Sequence, residues 1–111
     1  MGEYYILKGR KVVPTDLMTW SKMFQNADKD RIVCKSNIDD SIVSTVFLGL
    51  NHSFTGTSLE VFETLVFGGP LDGEMTRCAT LDQAEKMHVD MCVRVKLAQL
   101  DETLQEHKHE S

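Results

Sequence analysis

The amino-acid sequence predicts an α+β fold: an antiparallel sheet of about four to five strands and two helices, the longer of them C-terminal. Two observations carry this prediction. Short apolar runs with a period of two, separated by turn residues, fill most of residues 3–79. Apolar residues at helical spacing mark the segments 16–27 and 81–106. Short connections imply antiparallel pairing, and two amphipathic helices imply that one face of the sheet is covered.

The composition is that of one globular domain spanning residues 1–111, with a polar tail expected to fray from about residue 107. Hydrophobic residues make up 41% of the chain, and no apolar run approaches the ~18 residues that span a bilayer. The net charge of −5 does not favour binding to nucleic-acid phosphates. Three widely spaced cysteines without a C-x-x-C pair indicate a reducing compartment. We therefore expect a cytoplasmic protein without membrane or nucleic-acid partners.

The N-terminal third begins with two β-prone runs, 3–7 and 11–13, around Lys8-Gly9-Arg10. These runs predict a small hairpin whose second strand ends before Pro14, because proline has no N–H to donate to a ladder. Apolar residues at helical spacing then predict a first helix over 16–27. That helix carries the only tryptophan, Trp20, and we expect this side chain to face the core.

The central part of the chain reads as a second hairpin, with apolar runs at Ile42–Leu50 and Leu59–Phe67 on either side of a polar loop. A weaker strand, Arg31–Ile38, precedes it across a tight polar turn. The glycine-rich segment 68–73 predicts a loop, and Met75–Ala79 predicts a short last strand.

The last helix begins at a capping box formed by Thr80 and Gln83, and no helix breaker follows, so we expect it to run from Leu81 to about Glu106. It carries one apolar face at spacings of three and four, and a second stripe on the opposite side. A helix packed on a small sheet needs only one buried face. Either the first helix covers the second stripe or another chain does, and we favour a homodimer formed through the C-terminal half. The stripe residues are Val89, Val93, Leu97, Leu100 and Leu104.

Four polar residues are candidates for a ligand-binding site. Glu63 interrupts an apolar run: if its face of the strand is the core, the carboxylate must be paired or have a raised pKa, and if that face is open, it is an ordinary surface residue. His52 lies in the polar loop of the central hairpin, where functional residues are common. His88 lies on the apolar face of the long helix, where a hydrogen-bonded core histidine is the favoured interpretation. Asp72 lies in the glycine-rich loop.

Motifs for catalysis, metals or cofactors are missing from the sequence. His52, Glu63 and His88 are suitable residue types for zinc, but no local spacing such as H-E-x-x-H supports a metal site. There is no P-loop, no dinucleotide-binding glycine motif and no nucleophile elbow. We therefore predict no catalytic residue, no metal and no cofactor.

Three segments resemble a group of small proteins of unknown function from bacteriophages and prophages: VSTVFLGLNHSF (43–54), FETLVFGG (62–69) and ATLDQAEKMH (79–88). The N-terminal stretch is also similar, so the resemblance covers roughly residues 4–95. The chain departs from that group at Asn51, where an aspartate is usual, and at Leu81, where an aromatic residue is usual. The resemblance implies a phage-encoded protein working in the cytoplasm of the bacterial host. It supplies no mechanism.

Together these observations favour a non-enzymatic binding protein that contacts a host or phage protein, for example as an inhibitor or modulator of a bacterial defence system. The second hypothesis is a small-molecule binding protein or enzyme whose site lies at the loop end of the central hairpin. Mimicry of nucleic acid by an acidic surface is weakly supported, because a net charge of −5 over this length is modest.

Overall fold

A computed structural model describes residues 4–23, 25, 31–51 and 59–110, with side chains described as far as residue 105. It confirms the α+β class and the C-terminal position of the longer helix. All strand pairs are antiparallel, but they form two sheets, one of two strands and one of four in the order β3-β4-β5-β6. The elements are β1 (Tyr4–Lys8), β2 (Lys11–Thr15), α1 (Leu17–Met23), β3 (Ile32–Ile38), β4 (Ser41–Phe47), β5 (Phe62–Phe67), β6 (Met75–Cys78) and α2 (Leu81–Glu110).

The N-terminal hairpin forms the two-stranded sheet, and its second strand continues through Pro14, which pairs with Tyr5. The expectation that proline ends this strand was wrong, because β2 has only one neighbour and the missing N–H costs no ladder bond on its outer edge. The helix α1 begins where the Asp16 carboxylate accepts a hydrogen bond from the Thr19 N–H at 2.7 Å. It ends at Met23, and apart from residue 25 the remainder of the predicted helix lies outside the described residues.

The central strand β4 ends at Phe47, three residues before the predicted end of its apolar run. Gly49 has a φ of 69°, a left-handed conformation that glycine adopts without steric cost and that turns the chain out of the sheet. The Gly49 carbonyl then accepts a hydrogen bond from the Tyr5 N–H at 2.8 Å, and Leu50 bridges Tyr4. The end of the predicted strand therefore ties the two sheets together.

The long helix α2 starts at the predicted capping box: the Gln83 N–H donates to Thr80 Oγ1 at 3.1 Å, and the Thr80 N–H donates to Gln83 Oε1 at 3.2 Å. It continues to Glu110, past the expected end near Glu106. At 1.5 Å per residue its 30 residues span about 45 Å.

One face of the four-stranded sheet packs against α2 and forms the core. Alternate residues of β4, starting at Ser41, are buried, and so are the even-numbered residues Phe62, Thr64 and Val66 of β5. Two apolar clusters fill the interface, and the N-terminal hairpin packs against the second of them. The clusters are Val43, Val66, Met91 and Val95, and Phe47, Val61, Phe62 and Ala84. No described element covers the other face of this sheet.

Candidate functional site

A chain of polar side chains runs through the interface between α2 and the sheet, centred on His88. The imidazole is 5% exposed, and both of its nitrogens are hydrogen bonded. Its Nε2 lies 2.8 Å from Ser36 Oγ on β3, and its Nδ1 lies 2.7 Å from Thr45 Oγ1 on β4. Thr45 Oγ1 in turn lies 2.5 Å from Thr64 Oγ1 on β5. The helix is thus hydrogen bonded directly to β3 and β4, and through Thr45 to β5.

This environment favours the neutral form of His88, because burial lowers the pKa of the imidazole. Each hydroxyl can both donate and accept, so either neutral tautomer satisfies both ring nitrogens. No carboxylate hydrogen bonds to the ring in the part of the chain that the structure describes. A histidine with both nitrogens occupied by buried hydroxyls has no free atom for a metal or a substrate, and its role here is to hold α2 on the sheet.

Glu63 lies on the opposite face of the sheet. Its neighbours in sequence, Phe62 and Thr64, face the helix, so its own side chain points to the uncovered side. There it pairs with Arg77 on the adjacent strand β6, with Nη2 and Nε at 3.1 and 3.2 Å from Oε2. The two side chains are 17% and 22% exposed, so the pair is partly shielded. This is a cross-strand ion pair, and the sheet separates it from His88.

The other two candidates do not join a common site either. Asp72 Oδ1 accepts a hydrogen bond from the Gly68 N–H at 2.7 Å and so closes the turn between β5 and β6. That turn follows the end of β5, whereas His52 precedes β5 in the sequence. His52 itself lies outside the described residues. Of the four candidates, the described three are therefore placed separately: one under the helix, one on the open face and one in a turn.

Cysteine and metal chemistry find little support among the described residues. Burial raises the pKa of the Cys34 and Cys78 thiols, which disfavours the thiolate needed for nucleophilic attack. No group of three or more His, Cys, Asp or Glu side chains in the described part of the chain is arranged to hold a metal ion.

The second stripe of α2 is the largest run of exposed apolar side chains that the structure describes. Its five members, defined above, are 50–62% exposed and lie on the side of the helix opposite Ala84, His88, Met91 and Val95. The helix α1 does not cover them. The last described hydrogen bonds from α2 to the sheet come from Gln99 Nε2, to the Ile38 carbonyl at 2.6 Å and to Ser41 Oγ at 3.3 Å. Every residue from 100 to 105 is exposed, so the distal part of the stripe extends beyond the sheet.

Sequence reasoning identified His88 but missed its two hydroxyl partners, Ser36 and Thr45, and the Thr64 hydroxyl that bonds to Thr45. A signal for two of them was present: in β4 and β5, threonines occupy positions at which period-two alternation expects a core residue. The strand register that aligns Ser36, Thr45 and Thr64 with one residue of a distant helix is not visible in the sequence.

Comparisons with known proteins give no indication of the function of this chain. No protein-family model matches the chain, and no curated protein or solved structure matches it significantly. Among the described residues, no helix combines the length and apolar character needed to cross a membrane.

Proposed function

We propose that this protein is a non-enzymatic binding protein that works as a homodimer, joined through the stripe on α2, and acts by contact with another protein. The observation that carries the proposal is the set of five large apolar side chains, each at least half exposed, on one side of one helix. Exposed apolar surface of this kind is typical of interaction sites. The described polar candidates, by contrast, are dispersed over both faces of the sheet and one turn.

The spacing of the stripe suits a pair of helices. Val93, Leu97, Leu100 and Leu104 follow one another at intervals of four, three and four residues, the spacing of the apolar positions in a two-helix coiled coil. Val89 lies on the same side of the helix, one turn before Val93. Two copies of α2 can therefore pack along this side, with each sheet lying on the outside of the helix pair.

The charges beside the stripe favour self-association. Next to the apolar positions lie Arg94 and Asp101 on one flank and Lys96 and Thr103 on the other. In a parallel pair, Lys96 of one copy faces Asp101 of the second. In an antiparallel pair centred between Leu97 and Leu100, Arg94 faces Asp101 instead. Lys96 and Arg94 also pair within their own chain, with Asp39 at 3.2 Å and Glu74 at 3.5 Å, so Asp101 shares each cation with an existing partner. Both orientations bring opposite charges together, and neither places like charges opposite each other at these positions.

The energy available is sufficient for a reversible dimer. Full burial of a leucine or valine contributes roughly 1.5–3 kcal/mol. Covering the exposed halves of five such side chains on each of two copies therefore supplies on the order of 10 kcal/mol. Association costs about 4–15 kcal/mol, so we expect a dimer whose population depends on protein concentration.

For the target we propose a protein of the bacteriophage or its bacterial host, such as a component of a defence complex. The support is the resemblance of segments 43–54, 62–69 and 79–88 to small phage proteins. The net charge of −5 and the absence of a catalytic motif in the sequence agree with action by contact. The geometry gives no comparable support to a small-molecule site, because Glu63 and His88 lie on opposite faces of the sheet.

The test is the mass in solution, measured by light scattering after size exclusion over a hundredfold range of concentration. We expect the wild-type chain to approach twice its 12.6 kDa mass as concentration rises. The double variant Leu97→Glu/Leu100→Glu is expected to stay monomeric, because it places charge in the centre of the stripe.

Glu102→Ala serves as the matched control, since Glu102 is exposed on the same helix but lies outside the stripe. It should dimerise like the wild type. A wild-type chain that remains monomeric at several hundred micromolar would overturn the dimer. A pull-down from phage-infected cells that retains no host or phage protein would count against the contact function.

A further inference from the structure

The four-stranded sheet has two edges, and they differ in how their backbones are protected. The β3 edge carries an irregularity in register between Ile32 and Cys34, and the exposed Lys35 lies beside it. Bulges and lysines are devices that keep other strands from pairing with an edge. The β6 edge has neither: its four residues pair with β5 in regular register. Its one charged side chain, Arg77, is held by Glu63 on the uncovered face.

The backbone of β6 leaves two residues available for pairing. The Val66 N–H donates to the Glu74 carbonyl and the Val61 N–H donates to the Cys78 carbonyl, both at 3.0 Å, so even-numbered residues make the bonds to β5. Antiparallel pairing alternates, and the N–H and C=O of Met75 and Arg77 therefore point outward. No described strand pairs with this edge.

A groove runs beside that edge, between β6 and α2. One part of it, about 300 Å³, has a floor of Met87 and Met91 and a wall at Thr76. A second part, about 480 Å³, continues along Cys78, and both parts reach Gln83. The Thr76 hydroxyl is buried without a hydrogen-bond partner among the described residues. Buried hydroxyls are normally bonded, but this atom is inaccessible from the groove and does not contribute a contact to a ligand there.

Two cationic side chains lie at the rim of the groove, and one of them has an ion-pair partner within the chain. Arg94 is 3.5 Å from Glu74, across the end of the groove nearest the turn between β5 and β6. Lys86, farther along α2, forms no ion pair with any described residue. Asp90 also lines the groove, one helical turn from each of these two cations. An acidic group that enters at the Lys86 end can pair with this lysine without displacing an existing partner.

We propose that this groove binds an extended peptide segment of the target protein, which adds as a fifth strand to β6. Such strand addition takes its affinity from main-chain hydrogen bonds and its specificity from alternate side chains that enter pockets. At the positions that face the groove, the peptide places an apolar side chain over Met87 and Met91. Two residues away, it places an acidic side chain near Lys86. This proposal rests on the proposed contact function but not on the dimer. The groove floor, Met87 and Met91, lies on a different side of α2 from the stripe, whereas Arg94 at the rim also flanks the stripe and Lys86 lies one turn before Val89.

The experiment selects peptides from a displayed library of random ten-residue segments on the immobilised wild-type chain. We expect the enriched sequences to share an apolar residue and an acidic residue two positions apart. One enriched peptide is then synthesised, and its binding is measured by calorimetry. Enrichment without this pattern would overturn the proposed peptide chemistry.

Two variants of one position test the main-chain bonds. Met75→Pro removes an outward N–H, whereas Met75→Thr keeps it, and both replace a side chain that lies on the uncovered face, away from the groove. We expect Met75→Pro to weaken peptide binding about tenfold and Met75→Thr to change it less than about twofold. Equal binding by the two variants, with matching circular dichroism spectra, would contradict strand addition.

Lys86→Glu provides a second test at an exposed position that is independent of whether Met75→Pro folds. It should weaken binding of the selected peptide. Library selection on this variant should favour basic residues at the position where the wild type selects an acidic residue. An unchanged preference would overturn the groove as the binding site. The Leu97→Glu/Leu100→Glu variant should bind the peptide like the wild type, so loss of the dimer and loss of peptide binding are separable results.

Discussion

The two sides of α2 share the same apolar spacing but lie in different environments. The side facing the sheet carries Met91 and Val95, which are at most 2% exposed, and the opposite side carries Leu97 and Leu100, which are at least half exposed. Both sides repeat apolar residues at spacings of three and four. What distinguishes them is the position of the sheet, which supplies complementary apolar surface to one side only. Apolar periodicity thus identifies a face that needs a partner and does not identify the partner.

Polar residues sharpen the same contrast. The buried side includes His88, whose ring is bonded to Ser36 and Thr45, so a polar group can occupy the core when its bonds are made. The exposed stripe contains no polar residue but is flanked by charges. The core therefore contains a hydrogen-bonded histidine, whereas the exposed stripe contains only apolar residues. This is the reverse of the rule that apolar residues are buried and polar residues are exposed.

The largest expected difference between the two sides is in stability. Met91→Ala should lower the free energy of unfolding by about 2–5 kcal/mol, because it leaves a cavity in the core cluster. Leu97→Ala, on the other side, should change the monomer's stability by less than about 0.5 kcal/mol. Urea unfolding at a concentration where the chain is monomeric measures both. A loss of similar size for the two variants would show that the stripe is packed within the chain.

A smaller effect is expected from breaking the hydroxyl chain at its centre. Thr45→Val leaves both His88 Nδ1 and the Thr64 hydroxyl without a partner and should cost about 1–3 kcal/mol. Thr64→Val, at the end of the chain, leaves Thr45 bonded to His88 and should cost less. Chemical denaturation of the two variants provides the comparison. A greater loss of stability for Thr64→Val than for Thr45→Val would contradict the central place of Thr45 in the hydrogen bonds that join His88 to the sheet.

The smallest expected effect is a dependence of stability on pH. Burial lowers the pKa of His88 in the folded state, so the unfolded chain binds a proton more readily than the folded one does. The full contribution of the neutral ring is present above the pKa of an unfolded histidine, about 6.5. It is lost progressively as the pH falls below that value toward the folded-state pKa.

Thermal unfolding of the wild type and His88→Gln from pH 8 to pH 5 measures this effect. The wild type should lose more stability over this range than the variant, whose position 88 does not titrate. Parallel curves for the two proteins would contradict a neutral, buried His88.

Much of the fold followed from local pattern. Period-two runs located all six strands to within a few residues, and the capping box at Thr80 located the start of α2. The failures depended on how the strands are arranged in the sheets. The predicted strand to Leu50 was shortened because Gly49 turns toward Tyr5, and Pro14 stayed in a strand because β2 is an edge. Gly49 and Tyr5 are far apart in sequence, and the edge position of β2 depends on which strands join it, so neither follows from a local pattern.

The candidate site shows the same division. The sequence alone determined that His88 lies on an apolar face, that Glu63 interrupts a strand and that α2 carries two apolar sides, because each of these is a property of helical or strand periodicity. Only the tertiary structure decided that the sheet separates Glu63 from His88, that hydroxyls from β3 and β4 bond to the imidazole, and that one side of α2 faces solvent. The physical reason is that periodicity fixes which residues share a face, whereas strand register and helix docking determine what that face meets.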